Sequence, residues 1–152
     1  RLVGSEMCIR DSMNTVEPAI GAQRMDKVYA WKSMLDMGIH TSGGSDAPVV
    51  SFDAMENIYF AVTRKNISGQ PQEGWIPSEK ISVDEAVKLF TKNAAYASYT
   101  EDENGTIEVG KNADFVVLEK NIYEIDPDEI KATKVDMTVL GGEIVYEREV
   151  EE

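Results

Sequence analysis

The sequence predicts an α/β fold: one strand–loop–helix unit of a barrel with a helix on each side, followed by a small β module. Three observations predict it. Met25, Val28, Trp31 and Leu35 recur at helical spacing over Met25–Met37, and Gly38 then stops the helix. The short stretch Ile39–Ser42 follows as a strand and opens into Gly43-Gly44-Ser45-Asp46-Ala47-Pro48, a loop composition. Beyond Gly105 the periodicity changes from helical to extended. A closed barrel needs eight such units, so the chain is expected to be the C-terminal piece of a larger domain.

The elements follow in order. Residues 1–12 (Arg-Leu-Val-Gly-Ser-Glu-Met-Cys-Ile-Arg-Asp-Ser) show no periodicity and resemble a translated sequencing adaptor. They lack the apolar region of a signal peptide. This head, with the single cysteine Cys8, is expected to be artefactual or disordered, with natural sequence starting near Met13. Residues 13–104 form the first unit. Within it, Asp53–Arg64 places Met55, Ile58, Tyr59 and Val62 on one helical face, and Lys65–Lys80, rich in Gly, Pro and Gln, reads as a loop. Ser82-Val83-Asp84-Glu85 is a capping box, in which Ser82 accepts from the backbone three residues on and Glu85 reaches back. Behind it Val83, Ala86, Val87, Phe90, Ala94 and Ala97 form one helical stripe that ends in the turn Thr100–Gly105.

Residues 105–152 form the β module. Asp114–Leu118 is a strand, and Asp136–Leu140 and Glu143–Glu147 flank Gly141-Gly142, a two-residue hairpin signal. Asn121–Lys134 between them is mostly loop, with Pro127 able to start one helical turn.

Composition narrows the function classes. The 152 residues are 42% hydrophobic, enough for a packed core. The net charge of −13 disfavours nucleic acid and anionic membrane as partners, because both repel an acidic surface. No apolar run approaches the roughly 20 residues that span a bilayer. One cysteine permits no internal disulfide, which fits a reducing, cytoplasmic setting.

Asp46 is the chief chemical candidate. It lies on the loop after a strand, where barrel enzymes carry catalytic side chains. A carboxylate there can ligate a metal, take a proton from water and hand it to a leaving amine. The competing reading is a turn cap. His40, the only histidine, is expected to pack, since a metal site needs several convergent ligands. No HxH, HExxH or CxxC pair accompanies it. Arg24 and Arg64 are candidate substrate-binding residues, with a solvated helix end as the alternative for each. Tyr29 and Trp31 are expected to pack, and Ser45 has no base to activate it.

At these residues the chain resembles a known family. Tyr29-Ala30-Trp31-Lys32-Ser33-Met34-Leu35-Asp36-Met37-Gly38, Gly44-Ser45-Asp46-Ala47-Pro48-Val49, Ala61-Val62-Thr63-Arg64, Leu89-Phe90-Thr91, Ala94-Ala95-Tyr96-Ala97 and the run Gly105–Leu118 together resemble the YtcJ-like branch of amidohydrolase family 3. That group includes N-substituted formamide deformylases. The resemblance implies a metal-dependent (β/α)8-barrel hydrolase with a composite β-sandwich subdomain built from both chain ends. It implies a divalent metal, zinc by expectation, and a small-molecule amide-type substrate. Asp46 matches the aspartate after the eighth barrel strand, a ligand of the metal or its water and a proton shuttle. Gly110-Lys111-Asn112-Ala113-Asp114 matches the structural re-entry into the sandwich. The family's histidine ligands lie on earlier strands, so the fragment alone is expected to be inactive. A homo-oligomer of the intact protein stays open. The competing functions are a non-catalytic binding module and an amidohydrolase relative acting on cyclic amides.

Overall fold

The computed structural model describes residues 5–6, 13, 15–48 and 50–149. The order along the chain is β1 (Ser5–Glu6), α1 (Val16–Ile20), a 3-10 helix (Ala22–Lys27), α2 (Trp31–Asp36), β2 (Gly43–Gly44), α3 (Ala54–Thr63), a 3-10 turn (Pro77–Glu79), α4 (Val83–Phe90) and α5 (Lys92–Ser98). Then come β3 (Phe115–Leu118), a 3-10 helix (Pro127–Ala132), β4 (Val135–Leu140) and β5 (Glu143–Glu147).

Helix α3 is the centre of the core. Asp53 caps it, its Oδ1 accepting from the backbone N–H of Met55 at 2.8 Å and of Glu56 at 3.4 Å. The sequence predicts one apolar face, but the fold buries more: Met55, Asn57, Ile58, Tyr59, Phe60, Ala61 and Thr63 are all buried. The reason is that neighbours cover α3 from several sides. Trp31 of α2, Ala86 and Leu89 of α4, and Ile130 of the 3-10 helix at Pro127–Ala132 join its side chains in one cluster. Burying one such large apolar side chain stabilises by about 1.5–3 kcal/mol.

Helix α4 starts as predicted. The backbone N–H of Glu85 donates to Ser82 Oγ at 3.2 Å, and that of Ser82 to Glu85 Oε2 at 2.8 Å. The Ser82 backbone hydrogen bond is the main reason that the Glu85 carboxyl sits below the usual carboxylate range.

Two predicted helices are each broken in two. The expected helix Met25–Met37 is a 3-10 helix, then a break at 28–30, then α2. Tyr29 takes a positive φ of 48° there, and at the break Arg64 donates to the Val28 and Tyr29 carbonyls, the latter shared with the Trp31 N–H. The stripe Val83–Ala97 breaks at Thr91 (φ −121°, ψ −97°). Beyond that break, on α5, Asn93 Nδ2 donates to the Thr41 carbonyl at 2.8 Å. Gly38 does stop α2: its N–H donates to the Leu35 carbonyl and that of Ile39 to the Met34 carbonyl, the paired bonds of a Schellman motif.

The strand expected at Ile39–Ser42 is displaced. A strand is defined by its partner, and residues 39–42 have none among the described residues. Parallel pairing falls on Gly43–Gly44, opposite Ser5–Glu6. Of the twelve-residue head, therefore, the two described residues are paired; the expectations for the rest, Cys8 included, lie outside the described residues.

The β module forms as predicted, a three-stranded antiparallel sheet in the order β3-β4-β5. Gly141 and Gly142 both take positive φ, 59° and 83°, the requirement of the tight hairpin turn whose twist matches the strands. Asp114 Oδ1 accepts from the Gly141 N–H at 2.7 Å, and the Ala113 carbonyl accepts from the Gly142 N–H at 3.1 Å. The Ala-Asp pair before β3 thus anchors the hairpin tip. The 3-10 helix at Pro127–Ala132 is longer than the single turn expected, because Ile130 is drawn fully into the core under α3.

Gly74 gives a test of the loop that returns from α3. Its φ is +79°, and a Cβ there would lie 2.3 Å from the Thr63 carbonyl oxygen. Gly74→Ala is expected to destabilise by about 2–4 kcal/mol in urea unfolding, from backbone strain plus a clash that neither side can relieve. Gly69→Ala is the comparison: φ is +81° but nothing stands within 4 Å, so a loss as large as that at Gly74 would show that the clash is irrelevant.

Candidate active-site loop

Asp46 sits two residues beyond the end of β2. Its φ of 48° is left-handed, a conformation that aspartate tolerates better than most residues. The loop is closed behind it, where the Val50 N–H donates to the Ser45 carbonyl at 3.3 Å and the Val50 side chain is buried. The Asp46 side chain is exposed and forms no hydrogen bond or ion pair with another described residue. It makes no capping bond of the kind that Asp53 makes. Upstream the approach is tight: a Cβ on Gly43 would lie 2.9 Å from the ring of Phe90.

The exit of the loop is tied to α3. Ser51 Oγ accepts from the Asp53 N–H at 3.1 Å. Asn57, 2% exposed, donates from Nδ2 to the Ser51 carbonyl at 2.8 Å and to the Asp53 carbonyl at 2.7 Å. Sequence reasoning did not single out Asn57. The available signal was a short amide four residues after an N-cap, a spacing that lets it bond back to the backbone.

Arg64 is fully buried. Its Nε donates to the Trp75 carbonyl at 2.6 Å, Nη1 to the Tyr29 carbonyl at 3.0 Å and Nη2 to the Val28 carbonyl at 3.5 Å. The guanidinium lies 5.4 Å from the ring centroid of Trp31 and 5.7 Å from that of Trp75. Burial pushes its pKa down to about 10, and the Glu79 carboxylate partly offsets this. The group stays cationic at neutral pH. Three of its donors serve backbone carbonyls and the side chain is buried, an arrangement that favours a structural role over the substrate contact expected at Arg64. Glu79, also missed in the sequence, is 4% exposed and accepts from the Ser33 N–H at 3.0 Å and from the Ser33 hydroxyl.

The remaining candidates are apart. Arg24 is exposed on the 3-10 helix Ala22–Lys27. His40 stacks on Tyr96 with ring centroids 4.2 Å apart, a packing contact. Tyr29 packs edge-on to Trp31 at 6.1 Å. Two apolar clefts of about 550 and 720 Å³ separate the helices from the sheet, walled by Phe90 and Phe115 among others, and neither is lined by Asp46.

Among the described residues no group of three His, Cys, Asp or Glu could hold a metal ion. Among the described side chains the loop carries one metal-ligating group, the Asp46 carboxylate, which does not by itself fit a metal centre. The isolated chain is therefore expected to bind zinc only weakly. Calorimetric titration checks this; tight one-to-one binding that survives His40→Ala would reveal a ligand set that the geometry does not contain. No helix among the described residues is long and apolar enough to cross a membrane.

Comparison with known proteins bears on this loop. The model of the amidohydrolase family matches residues 4–146. The chain is 39% identical over 129 residues to the putative amidohydrolase YtcJ of Bacillus subtilis (strain 168), an alignment covering 85% of this chain and 24% of that protein. It is 35% identical over 122 residues to the N-substituted formamide deformylase of Arthrobacter pascens, covering 80% and 22%. Among solved structures, an amidohydrolase from Thermotoga maritima MSB8 superposes with a TM-score of 0.59 at 21% identity, over 79% of this chain and 26% of that one. The chain thus spans about a quarter of the length of the curated relatives it matches.

Proposed function

Since the chain belongs to the amidohydrolase family, we propose that it is the C-terminal part of a metal-dependent hydrolase of non-peptide C–N bonds, with amides or formamides as substrates. Family membership supports hydrolysis of C–N bonds; the relative named for N-substituted formamides motivates the finer substrate class. The observation that carries the reading is Asp46: an exposed carboxylate without a partner among the described residues, held in a closed loop directly after a parallel strand pair.

In this proposal β2 is part of the last barrel strand, residues 13–104 are the final barrel unit with its flanking helices, and β3–β5 belong to a sandwich subdomain. The apolar faces left open on that sheet, among them Val116, Ile144 and Tyr146, support a partner layer drawn from elsewhere in the whole enzyme. Divalent metal, zinc by expectation, would supply Lewis-acid activation when bound. Its other ligands would come from outside this chain. Asp46 would take a proton from water at one carboxylate oxygen and return it to the departing nitrogen, so that an amine leaves rather than an amide anion. Arg24, exposed, remains a proposed substrate contact. We assign Arg64 to positioning the backbone.

The test is hydrolysis of an N-substituted formamide and of a cyclic amide by the whole enzyme, before and after chelation and metal return. Metal-dependent release of amine from the formamide is expected. Turnover of the cyclic amide alone would favour the alternative substrate class, and no turnover of either by metal-loaded protein would favour a binding role.

A further inference from the structure

We infer that Asn57 is a positioning residue for Asp46, acting through the exit of the active-site loop. The inference rests on the role proposed for Asp46. The loop has two ends. The upstream end is fixed by β2 and by the close fit of Gly43 to Phe90. The downstream end leaves Val50 and must turn into α3 within three residues, a corner that leaves the Ser51 carbonyl outside the helix ladder beside the Asp53 carbonyl that opens it. Asn57 sits inside that corner and is almost completely buried. Its two amide protons are divided between those two carbonyls, at 2.8 and 2.7 Å. A single rigid group therefore fixes the first turn of α3 to the last residues of the loop. Ser51 Oγ, taking the Asp53 N–H, locks the same corner from the opposite sense.

A buried amide here is an unusual choice for stability alone. Its Oδ1 is buried without a hydrogen-bond partner among the described residues, and an unpaired buried acceptor is unfavourable. An apolar side chain would fill the space without that cost, but it would release the Ser51 carbonyl and leave the Asp53 carbonyl only the backbone N–H of residue 57. What the amide secures is the path of the chain. The sequence separation is short: Asp46 lies five residues before Ser51, and Val50, between them, is pinned by its buried side chain and by the bond from its N–H to Ser45. Releasing the corner removes the tether on Ser51, next to Val50, and through the bond from Val50 to Ser45 the position of Asp46 depends on that tether. A carboxylate that must reach both water and a leaving nitrogen is sensitive to a shift in that position.

The experiment uses the whole enzyme with Asn57→Leu, Asn57→Ala, Asp46→Asn and, as a stability control remote from the loop, Val139→Ala. For the two Asn57 variants kcat is expected to fall by about 10²-fold with metal content unchanged, the size of effect caused by misplacing a catalytic group by about 1 Å. KM should stay within about 3-fold, because substrate contacts are not removed. Amide hydrogen exchange at Val50 and Asp53 should accelerate by about 10-fold or more, while exchange in β3–β5 is unchanged. A control that loses as much stability but keeps its kcat completes the case. The inference is overturned if the Asn57 variants keep wild-type kcat, if their loss of kcat matches that of Val139→Ala, or if exchange at Val50 and Asp53 does not change. Failure of the function itself reads differently: then Asp46→Asn also leaves kcat unaltered. Should neither Asn57 variant fold, wild-type exchange decides, because Val50 and Asp53 amides that exchange as fast as the exposed loop 66–70 would rule out a fixed corner.

Discussion

Asp46→Asn in the whole enzyme is expected to lower kcat by at least about 10²–10⁴-fold, the contribution of a general acid–base group, with the fold intact. Asparagine has nearly the same volume, and the Asp46 side chain is exposed and bonded to no described residue. Nothing in the packing should respond. The amide, however, cannot accept a proton from water at neutral pH, and it is a poorer metal ligand. A turn-capping role predicts the opposite, since asparagine caps about as well as aspartate. Steady-state kinetics on one formamide substrate, with metal content measured in parallel, separates the two. A fully metallated variant with wild-type kcat would make Asp46 a turn residue and end the proposed mechanism. The metal measurement matters because a variant that has merely lost its metal would also slow.

Arg64→Met is expected to destabilise by about 3–5 kcal/mol, from the loss of hydrogen bonds donated by a buried charged group, each worth about 1.5–3 kcal/mol. For a domain of this size that corresponds to a fall in Tm of roughly 10 °C or more. The carbonyls of Val28 and Trp75 lose the guanidinium as donor, that of Tyr29 keeps only the Trp31 N–H, and the cation leaves its place near Trp31 and Trp75. Methionine fills much of the volume, so the loss reports hydrogen bonding more than a cavity. Arg64→Lys should recover only part of it, because one ammonium on a flexible stem cannot span three carbonyls in a fixed plane. A substrate-binding arginine would behave in reverse, raising KM with little change in Tm. Thermal unfolding and KM measured on the same preparations therefore distinguish the two roles.

Several elements of this chain were legible in the sequence, and they share a property. The capping box of Ser82 and Glu85, the stop at Gly38 and the turn at Gly141-Gly142 are each made by groups within five residues of one another. Spacing alone then specifies the bond. The loop position of Asp46 was legible for a similar reason: it follows a strand signal and two glycines, and it does lie on a loop just after β2. The breaks at Tyr29 and Thr91, and the shift of the strand to Gly43–Gly44, were not legible. Each depends on a partner distant in sequence. Arg64 reaches the Tyr29 carbonyl across 35 residues, Glu79 reaches Ser33 across 46, and Asn93 reaches Thr41 across 52. Helical spacing at Met25–Leu35 favours a continuous helix, but a buried cation that donates to the carbonyls at the break makes a broken one stable. Local periodicity thus determined the helical character of Trp31–Asp36, Ala54–Thr63 and Val83–Phe90 and the strands beyond Gly105. Tertiary structure alone decided where those helices break, which strand finds a partner, and that Arg64 turns its charge inward, because a buried donor is placed by the acceptors that surround it in space.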